Sequence, residues 1–186
     1  MNSKKNIKAE DLVDFWFSER VAKYWFNSTA EFDNELRQLY ESVYLDAKAG
    51  QHDNWLDTAM GCLALVILFD QLPLNIYRGD KKSFATEEKS REVAKHAIKQ
   101  SYDQCLDEKQ KAFLYMPFMH SENIEDQERS VKLFENAKLT GNIRFARHHR
   151  EIVKRFGRFP HRNKILGRDS TDDELVYLQS KEAFLG

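Results

Sequence analysis

The chain is 186 residues long, 41% hydrophobic and 32% charged, with a formal net charge of −1. That length and balance describe an ordinary soluble globular protein of one domain with a real core, and a charge so near zero argues against a general nucleic-acid binder. Cys62 and Cys105 stand in apolar or helical contexts without metal-ligand spacing or a preceding signal peptide, so a reducing cytoplasm is the expected location.

Residues 1–8 are polar and expected to be disordered, after which Leu12, Val13, Phe15, Trp16 and Phe17 predict a short helix with an aromatic end. From Ala30 the apolar positions Phe32, Leu36, Leu39, Tyr40, Val43 and Tyr44 follow helical spacing and predict an amphipathic helix ending before Gly50. Thr58 is the expected N-cap of the next helix, apolar nearly all round through Phe69 and therefore central. Its apolar run, 59–69, is about half of the roughly 20 residues needed to span a membrane, so it predicts a core helix and no membrane contact. The helix is expected to end in Asp70-Gln71-Leu72-Pro73, where the dipole disfavours a carboxylate. Asp70 then calls for a cationic or donor partner, with Arg78, Arg158 and Arg162 as candidates.

Thr86 followed by Glu87 and Glu88 predicts a capped helix carrying Val93, Ala94, Ala97 and Ile98, with His96 near its exposed face. A shorter helix runs from about Glu108 to Met116, where Pro117 stops or kinks it, and His120 and Glu122 follow at once. The next, about 125–137, places Gln127 on the side of Ile124, Val131 and Phe134, so a polar side chain points inward.

The segment 144–168 is strongly cationic between acidic stretches at 122–135 and 169–174, and holds three of the six histidines. Winding it at about 100° per residue puts Phe145, Ile152 and Phe156 on one stripe with His149 in its middle. Gly157 is the expected left-handed stop, and Pro160 holds Phe159 extended, so Arg158, His161, Arg162 and Asn163 ride on a stiffened loop. Thr171-Asp-Asp-Glu174 is a capping box for a final helix through Leu175 and Leu178.

Strand alternation and hairpin dipeptides are missing, which predicts an all-α protein of about eight helices, with short links favouring antiparallel neighbours, in one domain over 1–186. The blocks FWF at 15–17, DQLPLNIYRG at 70–79, FLYMPFMHSE at 113–122, DQERSVKLF at 126–134 and HREIVKRFGRFPHRNKILGR at 149–168 resemble, in order, those of the uncharacterised family catalogued as domain of unknown function 924. The resemblance implies antiparallel helix pairs in a tetratricopeptide-like superhelical or bundle arrangement, and brings no catalytic residue with it.

Asp70, Arg78, His120, Glu122, Gln127, His149, Arg158, His161 and Arg162 are the candidate ligand-binding residues. Several break local rules at once, by facing inward or terminating core helices, which often marks a site. Arginines with histidines on a rigid loop suit a phosphate or carboxylate, because guanidinium is a planar donor fork. The competing reading is mortar, in which Arg158 or Arg162 neutralises Asp70 or Glu122. No HExxH, CxxC or nucleophile turn occurs, so neither a metal, a cofactor nor a catalytic residue is assigned. Two functions are expected to compete: binding, with hydrolysis or transfer open, of a small anionic molecule in a helical pocket; or a tetratricopeptide-like module for a protein partner whose polar cluster is structural.

Overall fold

The computed structural model describes residues 7–185, whose regular secondary structure is all helical, with no strand. The helices are α1 (Ala9–Phe17), α2 (Glu19–Ala22), α3 (Ala30–Lys48), α4 (Ala59–Val66), α5 (Leu72–Ile76), α6 (Glu87–Lys99), α7 (Glu108–Met119), α8 (Ile124–Asn136), α9 (Thr140–Phe156), α10 (Asn163–Leu166) and α11 (Asp172–Leu178). A π turn, Ile67–Gln71, joins α4 and α5 into one helix over Ala59–Ile76, leaving ten helices among the described residues. The two beyond the expected eight are α2 and α10, each of 4 residues and too short to show a period. Of the expected frayed segment 1–8, residues 1–6 lie outside the described residues. Lys8 starts α1, its backbone N–H donating to Asp11 Oδ2 at 3.1 Å.

Two compact units can be distinguished, one from the described residues up to Arg78 with Lys82–Pro117, the other from Gly79–Lys81 and Phe118 onward. The first is built on the Ala59–Ile76 helix, against which α1, α3 and α6 pack. By length and composition that helix could cross a membrane, but 83% of it is buried within the protein. A helix apolar on every face is what such a position requires. Its end was misjudged from sequence. Instead of stopping at Asp70–Pro73, the chain widens into the π turn, with the Leu72 N–H bonding the Ile67 carbonyl five residues back. Pro73 has no N–H, which would leave the Phe69 carbonyl without its helical partner. The Thr86 hydroxyl donates to that carbonyl at 2.7 Å. Thr86 therefore stands at the N-cap position of α6 with its side chain engaged elsewhere, not capping its own helix.

Asp70 is thus inside a helix and buried, and its carboxylate accepts from the neighbouring Gln71 amide at 2.5 Å. Arg78, one of the three arginines expected near it, instead grips Asp33 at 2.7 and 3.3 Å and the Asn75 side-chain oxygen at 3.2 Å. Arg37 donates to the Ile76 carbonyl, closing the helix's C-terminal end. Burial pushes the Cys62 thiol up to about 11, so it is an inert core residue. His96, expected on the exposed face, is half-buried, its Nε2 lying 3.1 Å from the Leu56 carbonyl.

α7 runs through Pro117 to Met119 without stopping. In the second unit α8 and α9 pack against each other, linked through Lys138 in the left-handed conformation at φ 56°. The buried face of α9 is Ala146, His149, Ile152 and Val153. His149 is inward as expected, but the stripe is turned slightly, leaving Phe145 47% exposed. Gly157 closes α9 with φ 69° and an N–H to the Val153 carbonyl at 2.7 Å.

Candidate functional site

The second unit gathers His120, Glu122, Gln127, His149, Arg158, His161 and Arg162; Asp70 and Arg78 belong to the first unit, in the settings described above. Gln127, inward on α8, donates its amide to the Met119 and Ser121 carbonyls, both at 2.7 Å, and so caps the C-terminal end of α7. Turning the amide over would set its oxygen against two carbonyl oxygens, so this orientation is the sensible one. Its oxygen, like the Ser130 hydroxyl, is buried without a hydrogen-bond partner. The Ser121 hydroxyl donates to Asp126 at 2.8 Å, so the neighbouring Ser121 and His120 form no nucleophile and base pair.

Pro160 begins the short 3-10 turn Pro160–Arg162, and the loop around it is laced by a continuous polar chain. Glu122 accepts Arg168 at 2.6 and 2.9 Å and the Phe159 N–H at 2.8 Å. Arg168 also donates to Asn163 at 3.0 Å, whose amide donates to Glu174 at 3.2 Å. Glu174 takes Arg158 in a fork at 2.7 and 2.8 Å and also accepts the Thr171 N–H at 2.8 Å, which completes the capping box expected from sequence. Glu174 is 2% exposed, and Arg158 holds its carboxyl down at about 2. For Glu122, burial alone would raise the pKa, but Arg168 and the Phe159 N–H outweigh it and hold the carboxyl below its ordinary value. Arg158 is therefore paired with Glu174, while the charge of Arg162 acts on Glu122, one of the pairings the mortar reading names. Glu174 and Arg168, absent from the candidate set, complete the network.

Removing Arg168 should strand Glu122 with one backbone donor. The pair is only partly buried, at 24% and 26% side-chain exposure, which places the cost between an exposed and a fully buried pair. Arg168→Ala should lose about 2–3 kcal/mol in chemical denaturation; a change within about 0.5 kcal/mol would show that the loop does not depend on it.

The imidazoles lie inside this frame. His149 sets its Nδ1 against the Phe145 carbonyl at 2.8 Å, one turn back on its own helix, which fixes Nδ1 as the protonated nitrogen of the neutral ring. The His149 ring lies 5.5 Å from Phe159 and 4.4 Å from Phe184, and His161 lies 5.7 and 5.0 Å from the same two rings. Arg162, 6% exposed, stacks on Phe159 at 4.6 Å and donates to the His120 carbonyl at 3.0 Å. Burial first, then the charges of His120, His148 and Arg162, lower His149 to about 3. Burial and Arg162, with His120 and Arg168, lower His161 to about 4 against the opposing pull of Glu122.

These shifts have a sign that can be checked. An unfolded imidazole titrates near 6.5, so below that pH the unfolded chain binds protons that the folded one refuses, and stability falls as pH drops. Glu122 and Glu174 add their own loss only below the ordinary carboxylate range, about 4.5. Stability should therefore begin to decline near pH 6.5 and be about 2 kcal/mol lower at pH 5.5 than at pH 7, measured by urea denaturation at both; equal values would place the imidazoles in water.

Among the described residues no group of three or more His, Cys, Asp or Glu is placed to hold a metal ion. A surface cleft of about 440 Å³ in the first unit, beside Lys8, His52 and Trp55, contains none of the candidate residues. The class is thus an all-helical protein with a self-paired loop framing one buried and one half-buried imidazole. Residues 12–182 match the family described as bacterial protein of unknown function, DUF924, and the chain belongs to it. A solved structure of a protein of unknown function from Agrobacterium tumefaciens is similar over 92% of this chain and 96% of that one, with 40% identity and a TM-score of 0.87. None of the curated proteins matches the chain.

Proposed function

We propose that the second unit binds a small anionic molecule at His149 and His161, beside Arg162, in a water-soluble cytoplasmic protein that needs neither metal nor cofactor. The observation that carries this reading is the placement of His149, buried, and His161, half-buried, against Phe159, with the Arg162 guanidinium stacked on the same ring. Such a place carries positive potential that an anion would relieve, and a stacked guanidinium offers it charge-assisted bonds. The paired Arg158 and Glu122 hold the frame; they are not the receptor. Binding is better supported than turnover, because a general base working near neutral pH needs a pKa near 7, far above about 3 and about 4.

The test is chemical denaturation with and without millimolar phosphate. Binding to the folded state alone should raise stability as phosphate increases, by about 1.4 kcal/mol at ten times the dissociation constant, and Arg162→Gln should remove the gain. A wild-type stability independent of phosphate, sulfate and small carboxylates would reject the reading. The tetratricopeptide-like interaction module keeps one observation in its favour: Phe26 is 77% exposed yet stacked on Phe113, whose ring also meets Trp25 and Phe17. Partner binding that is lost in Phe26→Ser, with no anion effect, would favour it.

A further inference from the structure

The rings around His149 and His161 enclose an occupant supplied by the chain itself. Phe184 lies 4.4 Å from His149 at a 57° tilt and 5.0 Å from His161 edge-on at 86°, with Phe159 behind both imidazoles. Two imidazoles against one phenyl ring at these spacings and angles, over the apolar cluster that contains Phe159, make a receptor for a flat aromatic group. The segment that delivers Phe184 is held lightly by comparison. It leaves α11 through Ser180, and Lys181, Glu182 and Leu185 are exposed. Its good hydrogen bond is the Phe184 N–H to the Tyr177 hydroxyl at 2.9 Å, while the Ala183 N–H to Ser180 and the Tyr177 hydroxyl to Glu182 stretch to 3.3 and 3.4 Å. A short segment with exposed flanks and few bonds opens at low free energy, independently of global unfolding. The walls do not share that freedom. His149 is on the packed face of α9, and His161 is in the loop that Glu122, Arg168, Asn163, Glu174 and Arg158 tie down.

We infer that Phe184 is a displaceable strap filling a ring-binding slot, and that the molecule this site takes is a small aromatic anion whose ring replaces Phe184 between His149 and His161. This rests on the anion reading above for the charged part of the ligand; the slot itself does not. Arg162 stacks on Phe159, the ring next to both imidazoles, at 4.6 Å from its centroid and is the cation nearest to that ring for the charged part of such a ligand. The ligand competes with the strap, so the free protein is closed and the bound one has Phe184 displaced from between the imidazoles.

The experiment is a nuclear magnetic resonance titration of wild type, Phe184→Ala and Phe184→Leu with benzoate, benzyl alcohol and acetate, following the imidazole signals of His149 and His161. Emptying the slot should tighten benzoate by about tenfold in Phe184→Ala, the worth of one aromatic contact set, with no gain in Phe184→Leu and no change for acetate in any variant. Benzoate binding more tightly than benzyl alcohol supports both slot and anion. Equal affinity for the two keeps the slot and removes the anion reading, whereas acetate shifting the imidazoles equally in all three proteins, without preference for a ring, keeps the anion and removes the slot. If Phe184→Ala does not fold, saturating benzoate on the wild type must move the Phe184 ring signals; imidazole shifts with an undisturbed Phe184 ring overturn the inference.

Discussion

Leu68→Asp should leave no folded protein. Leu68 is fully buried in the π turn of the Ala59–Ile76 helix, where every neighbouring position from Ile67 to Leu72 is also buried. An aspartate there would meet no partner, and an unpaired buried charge costs several kcal/mol against a total stability of roughly 5–15 kcal/mol. Snorkelling is closed to so short a side chain, and the helix turns no face to water. Circular dichroism and thermal melting decide the matter: a soluble variant with a cooperative transition would show that this helix does not organise the first unit.

Gly61→Ala should be the most sterically costly glycine-to-alanine change among the described residues. In a helix interior that substitution ordinarily stabilises by about 1 kcal/mol, since alanine loses less backbone freedom. At Gly61 the added Cβ would stand 2.0 Å from the Trp55 carbonyl oxygen, 2.7 Å from its carbon and 2.9 Å from the Thr58 hydroxyl. The first two atoms are backbone of the 3-10 turn Asp53–Asp57, which packs against α4 and cannot rotate away. The clash therefore wins over the propensity, and a loss of about 3 kcal/mol is expected. Gly141 in α9 is the control, because a Cβ there meets nothing within 4 Å. Gly141→Ala should gain about 0.5–1 kcal/mol. Urea midpoints of the two variants moving in the same direction would contradict this reading of the α4 entry.

What could be read from sequence was what local chemistry decides. The apolar periodicity of α3, the all-round apolar face after Thr58, the left-handed stop at Gly157 and the Thr171 to Glu174 box each depend on neighbours within a turn or two. The failures depended on distant partners. Pro73 looked like a stop because the hydroxyl that satisfies the Phe69 carbonyl comes from Thr86, 17 positions later. Arg168 pairs with Glu122 across 46 positions, a relation no spacing rule reports. Glu174 was legible as a capping residue, yet its burial beneath Arg158 was not, because one carboxylate performs both tasks through different lone pairs. His149 was recognisable as an inward imidazole, whereas the ring that covers it comes from Phe184, in a stretch with too few apolar residues to show a pattern.

The anion site is tested most directly by following the His149 and His161 imidazole signals against pH with and without sulfate, which does not itself titrate in the range. Without sulfate both should stay flat from about pH 7.5 down to about pH 5, since burial and Arg162 hold them uncharged. With saturating sulfate the His161 signal should begin to titrate inside that window, its pKa raised by about one unit or more through linkage to the bound charge, with His149 following at lower pH. Superimposable curves with and without sulfate, at concentrations that saturate ordinary anion sites, would contradict the account.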